Sequence, residues 1–181
     1  GPEGAAGRRA HVDALVDTVV GLYAPVPAAS LSFIVRRIRY AAPHWHGEMT
    51  AAHKSAQARL ARAEIHGHTW YWPEGDNTVL PPVDGVRLLA PFDPIVWDRR
   101  RFEMLWGWPY RFEAYTPAKK RRFGYYALPM LWRDRIVGWG NVTIEDGAMR
   151  VDLGFVKGRP RERAFTRALD EEIDRLRRFL G

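Results

Sequence analysis

The chain has 181 residues, 46% of them hydrophobic and 13% aromatic, enough to bury one good core or two small ones. Its formal net charge of +7, with a sequence pI near 10.0, favours an anionic partner such as nucleic acid. Cysteine is absent, which excludes a disulfide framework, thiol chemistry and cysteine metal sites and makes a reducing cytoplasm the expected compartment.

The opening GPEGAAG reads as a linker or cut end, so 1–8 are expected to be disordered or linker and Gly1 is not expected to be a natural start. From Arg9 to Tyr23, Val12, Leu15, Val16, Val19, Val20 and Tyr23 recur at three and four, predicting an amphipathic helix. Pro25 and Pro27 stop it. Ser30 is placed to cap a second helix, with Leu31, Ile34, Val35 and Ile38 inward and Arg36, Arg37 and Arg39 outward, up to Pro43. The uncharged stretch Thr18 to Val35 is broken by Gly21 and the two prolines, so it reads as two helices and a loop and not as a membrane span. A third, alanine-rich helix is expected over Ala51–Glu64, carrying Lys54, Arg59 and Arg62.

Ile65 to Trp72 then alternates with period two and predicts a strand. Glu74–Asn77 reads as a turn and Thr78–Leu80 as the returning strand. Three helices followed by a hairpin is the order of a winged helix, although any small helical bundle with a trailing hairpin would read the same. Val86–Pro109 follows as a hinge, with Trp97, Trp106, Trp108 and the run Arg99-Arg-Arg101. Up to Gly85 eight Lys/Arg balance eight Asp/Glu, so the whole net charge lies beyond the hinge. There Tyr110–Thr116, Phe123–Trp132, Arg135–Ile144 and Met149–Val156 predict an antiparallel sheet of four or more strands able to close into a small barrel, with a hairpin turn at Glu145-Asp-Gly147. A last helix over Arg161–Leu180 would face Phe165, Leu169, Ile173, Leu176 and Leu180 inward.

Lys119-Lys120-Arg121-Arg122 falls between two aromatic runs and is expected at a hairpin tip, where adjacent positive charges suit phosphate contacts. Interleaved aromatics such as Tyr115, Tyr125, Tyr126, Trp97, Trp106, Trp108, Tyr110 and Trp132 could stack on bases, but strand alternation buries most of them. The histidines His44, His46 and His53, and His66 with His68, lack the one-turn helical spacing that presents two imidazoles together, so no metal is expected. Asp93, before Pro94, and Asp98 fit turn caps better than acid–base catalysts, and Asn141-Val-Thr143 matches a glycosylation triplet without other support.

Leu88-Leu-Ala-Pro-Phe-Asp-Pro-Ile-Val-Trp-Asp-Arg-Arg-Arg-Phe102 and Tyr110-Arg-Phe-Glu-Ala-Tyr-Thr-Pro-Ala-Lys-Lys-Arg-Arg-Phe-Gly-Tyr-Tyr-Ala-Leu-Pro129 closely resemble the YcaQ and AlkZ family of bacterial winged-helix DNA glycosylases. The resemblance runs from about Trp70 through the last helix, more faintly back to the first, and matches the C-terminal portion of longer family members. It implies winged-helix units packed around a small β-barrel, binding to double-stranded DNA, and hydrolysis of the N-glycosidic bond of bulky N7-alkylpurines, including interstrand crosslinks, without metal or organic cofactor. The family's catalytic motif is a Gln one residue from a second Gln or an Asp. Gln57 is the one glutamine here and residue 59 is Arg, so no catalytic residue is carried over.

The resulting expectation is an α+β chain: a winged-helix-like unit over 9–85, then a β-barrel-like unit with a terminal helix over 86–181. DNA contacts are assigned to Lys119, Lys120, Arg121, Arg122, Arg99, Arg100, Arg101, Lys54 and Arg59. Two alternatives are a protein-interaction module with an aromatic surface, and a glycosylase using unrecognised groups such as Asp93 or Asp98.

Overall fold

A computed structural model describes residues 4–76, 81 and 83–180, and the chain divides into two compact units, Gly1–Val79 and Leu80–Gly181. The secondary structure is α+β: five helices and two antiparallel sheets among the described residues.

In the first unit, α1 (Gly4–Tyr23) buries Val12, Val16 and Val20 in one stripe. The helix begins inside the stretch expected to be linker, because Ala5 and Ala6 favour helix and Arg8 Nε reaches Glu48 Oε1 at 2.9 Å. Strand β1 (Val26–Pro27) leads directly into α2 (Ala28–Ala41). Ser30 does not cap α2; Pro27 holds the cap position with φ −70°, and Ser30 is buried within the first turn. After a short 3-10 turn, Pro43–Trp45, comes α3 (His46–Arg59).

That helix starts and stops five residues earlier than its alanine content suggests. Leu60 is extended, and the next residues form β2 (Ala61–Ile65), which carries Arg62. A two-residue turn at His66-Gly67, with φ of 52° and 74°, returns the chain as β3 (His68–Trp72). The stretch expected to be one strand is therefore part of a hairpin, with His66 in its turn and not on a strand face. Thr78–Leu80 lies outside the described residues. The sheet order is β1-β3-β2. Val26 of β1, Leu31, Ile34 and Val35 of α2, Met49, Ala52 and Ala56 of α3, Trp70 and Tyr71 of β3, and Ala42 and Leu60 are also buried.

The second unit is built on a four-stranded antiparallel sheet of β4 (Val86–Leu88), β5 (Ala127–Trp132), β6 (Arg135–Glu145) and β7 (Ala148–Phe155), in that order. The sheet curls into a half-barrel and stays open, because β4 and β7 are its edges. Asp146-Gly147, with φ of 51° and 76°, makes the β6–β7 turn that the sequence announces. Tyr110–Thr116 is not a strand; it belongs to an irregular segment between α4 (Arg99–Trp106) and β5.

Both faces of this sheet are covered. Val86, Leu88, Met130 and Trp132 pack with Phe165, Ala168 and Leu169 of α5 (Arg163–Leu180). Leu89, Val96, Phe102, Trp108, Tyr110 and Ile136 form a second cluster joined by Trp139. Trp139 stacks on Trp108 at 5.7 Å, and a Cβ at Gly154, its cross-strand neighbour, would run into the Trp139 indole. Leu180, expected inward, is exposed, whereas Glu172 of α5 is fully buried. Its Oε1 accepts from Leu88 N at 2.9 Å, and Arg175 clasps the carboxylate through Nε and Nη2 at 2.7 and 2.8 Å. Among the described residues no helix is long and apolar enough to cross a membrane.

Candidate nucleic-acid interface

The basic run is displayed by a braced loop and not by a hairpin tip. Pro117 leads a 3-10 turn over Ala118–Lys120, closed by Lys120 N donating to Pro117 O at 2.8 Å. Arg121 Nε donates to Thr116 O at 2.8 Å. Beneath the loop, buried Glu113 turns Oε2 toward the backbone and accepts from Arg122 N and Phe123 N, both at 2.8 Å. A carboxylate used on amide groups in this way leaves the neighbouring cations outside an ion pair. Lys119, Lys120 and Arg122 are exposed and have no acidic partner among the described residues.

Two further contacts fix the loop's ends. The Tyr110 hydroxyl donates to Ala127 O at 2.8 Å, and burial pushes its ionisation above the ordinary tyrosine range, opposed by the positive charge of nearby Arg99. Asn141 Nδ2 donates to Phe123 O at 2.7 Å, which gives the glycosylation triplet a structural asparagine in the middle of β6. Gly124 lies at φ 121°, where a side chain would be strained and its Cβ would meet the Asn141 amide.

The arginine run at the start of α4 splits by helix geometry. Asp98 caps the helix by accepting from Arg101 N at 3.2 Å, so Arg99 and Arg100 are exposed while Arg101 and Phe102 turn inward. Arg101 Nη1 donates to Pro94 O at 3.0 Å, and its guanidinium is buried. Asp93 accepts from Ile95 N at 2.8 Å through its side chain and from Val96 and Trp97 amides through its carbonyl. Both aspartates thus serve turns and caps.

In the first unit, Lys54 is exposed on α3, with Thr50 and Ala58 on the same outward side. Arg59 is not available in the same way: Nη2 lies 2.7 Å from Asp17 Oδ1 and Nη1 3.2 Å from Asp13 Oδ1, locking α3 to α1. Nη1 also contacts Ser55 Oγ, and the Asp17 hydrogen bond strengthens its hold on the proton. Gln57 donates to the Tyr71 hydroxyl at 3.3 Å. His53 Nε2 shares a hydrogen bond with Ser32 Oγ at 3.0 Å, and His11 and His44 lie against Trp45. No group of three His, Asp or Glu among the described residues is placed to hold a metal ion. Of the aromatics that interleave with the charges, Trp108, Tyr110 and Trp132 are core, whereas Tyr115, Tyr125 and Tyr126 are exposed.

A family model for AlkZ-like DNA glycosylases matches residues 1–179. The chain belongs to that family. The match takes in the helical unit as well as the hinge and the sheet, so the AlkZ-like assignment extends over residues whose motif resemblance is faint. DNA is the substrate that the family name states. No solved structure matches the chain.

Proposed function

We propose that this chain is the DNA-binding portion of a YcaQ-like glycosylase, acting on double-stranded DNA with bulky N7-alkylpurines or interstrand crosslinks and housed in a bacterial cytoplasm. The observation that carries the reading is the loop Ala118–Arg122, whose cations face outward because Glu113 beneath them is committed to backbone amides. Arg99, Arg100 and Lys54 are further phosphate contacts in this reading; Arg101 and Arg59 are withdrawn from it by burial and by ion pairs. The order α1-β1-α2-α3-β2-β3, with sheet order β1-β3-β2, supports a winged-helix reading of the first unit, in which α3 approaches a groove and the His66-Gly67 turn tips the wing.

Excision is not expected of these residues. Gln57 is hydrogen-bonded to Tyr71, and position 59, where the family motif would have its second catalytic side chain, is an arginine paired with aspartates. Duplex DNA titrated across a salt series should show affinity falling steeply with salt. Replacing Lys119, Lys120, Arg121 and Arg122 together by alanine should reduce the slope of log K against log salt by about 3 and weaken all sequences alike. Binding that ignores salt or this replacement overturns the proposal. Abasic sites formed on N7-methylguanine DNA would overturn its non-catalytic part.

A further inference from the structure

Four aromatic rings in the second unit are exposed. Phe92 is 78% exposed, Tyr115 93%, Tyr125 61% and Tyr126 42%. Burying such rings against protein would stabilise a fold, so a cluster left in water points to a partner. They are not scattered. Half-buried Phe112 meets Phe92 at 6.2 Å, Tyr115 at 6.3 Å and Tyr126 at 5.0 Å between ring centroids, each pair edge-to-face. At its exposure both faces of Tyr115 remain almost wholly open.

The rings are also held by ordered backbone. Tyr115 sits in the turn closed by Thr116 N donating to Glu113 O at 2.9 Å, and Phe92 in the one closed by Asp93 N donating to Ala90 O at 3.0 Å. Beside them Arg121 places its guanidinium 4.8 Å from the Tyr125 ring centre, next to the lysines of the basic loop. Lysine is depleted from the core of protein–protein interfaces, whereas flat rings flanked by cations match a nucleotide, which offers an aromatic face and a phosphate together.

We infer that Phe92, Phe112, Tyr115 and Tyr126, with the Arg121–Tyr125 pair, form a stacking surface for an unpaired nucleotide of a DNA strand held by the basic loop. A paired base has both faces covered by its neighbours in the duplex, so only a base at a gap, bulge or frayed end can reach these rings. The inference rests on the DNA-binding reading and adds to it a preference for interrupted duplex. Stacking of one base corresponds to a gain of roughly tenfold to a hundredfold in affinity.

The test compares the full chain on an intact duplex and on the same duplex with a short single-stranded gap containing 2-aminopurine. The chain should bind the gapped DNA at least tenfold more tightly and quench the 2-aminopurine emission. Tyr115→Ala, and Phe92→Ala with Tyr115→Ala, should bring the ratio of the two affinities close to one and abolish the quenching, while Tyr115→Phe should retain both. The exposure of these side chains keeps the variants folded, which a thermal melt checks. Equal affinities of the unaltered chain for the two DNAs, or a ratio that survives both alanine variants, overturns the inference and leaves duplex binding standing. Failure of the unaltered chain to bind either DNA overturns the DNA-binding reading and this inference with it.

Discussion

In the helical unit Arg8 and Arg59 are tied to Glu48, Asp13 and Asp17, whereas in the sheet unit Lys119, Lys120 and Arg122 stand outside any ion pair among the described residues while Glu113 is turned inward to amide groups. What separates these two places is what the acid faces: Asp13, Asp17 and Glu48 face arginines, and Glu113 faces backbone amides. An acid set against a cation on a neighbouring helix fastens the fold and cancels the field; an acid set against backbone N–H groups orders a loop and leaves the field in place. The excess positive charge beyond residue 85 would be consistent with many arrangements. Glu113 and the cations above it give that charge a location.

The contrast can be broken most strongly at Glu172. Replacing this fully buried carboxylate with alanine leaves the Leu88 amide without an acceptor and removes the ion-pair partner of Arg175 and of Arg87, whose Nη1 keeps Val86 O; because both arginines are half-exposed, the cost should be about 3 kcal/mol, at the lower end for a buried pair. Urea unfolding should show it as a lowered midpoint for the sheet unit, and a loss under about 1 kcal/mol would contradict the role given to this group. Glu113→Ala should remove about 2 kcal/mol for the two amides it orphans and weaken DNA binding although no cation is lost, whereas Glu113→Gln, which keeps an acceptor, should fall between.

Tyr110 provides a test by pH. Its folded-state ionisation is pushed upward by burial, so the stability tied to the neutral hydroxyl is present below about pH 10 and is lost as the pH rises through the folded value. The unaltered chain should therefore lose stability above about pH 10 more steeply than Tyr110→Phe, which at neutral pH should cost about 1 kcal/mol. Parallel pH curves would contradict this. The smallest effect is expected in the helical unit. Arg59→Ala removes a partly exposed pair and, discounted for solvent, should cost less than about 1 kcal/mol by thermal unfolding, with no change in the salt slope of DNA binding.

Where one side-chain period decided the outcome, the sequence was legible. The repeat along α5 and the Asp-Gly turn between β6 and β7 mark themselves, because apolar spacing and positive φ each restrict the residues that fit. His66-Gly67 makes the same kind of turn, yet histidine is not its usual first residue, and the alternation on either side reads straight through it. Tyr110–Thr116 has the alternation of a strand but gains its burial from packing across the sheet face, with Glu113 on the inside; nothing local distinguishes the two cases.

Among the proposed contacts, Arg99, Arg100 and Arg101 look equivalent as a run. Only the cap at Asp98 fixes the helical phase that sends the third inward. Arg59 shares a helix with Lys54, but its partners lie on α1, more than forty residues earlier, beyond the reach of any spacing rule. The Phe92–Phe112–Tyr115–Tyr126 cluster is equally non-local, since aromatic content alone favours burial for each ring.

The clasp between Glu172 and the Leu88 amide also bears on how the protein is made. It joins the first strand of the sheet unit to its last helix across 84 residues, so β4 has no complete set of partners until α5 has left the ribosome. Loop closure over that distance is slow, and N-terminal elements emerge first. The helical unit lies N-terminal to this span and is set to fold during synthesis before the sheet unit can close.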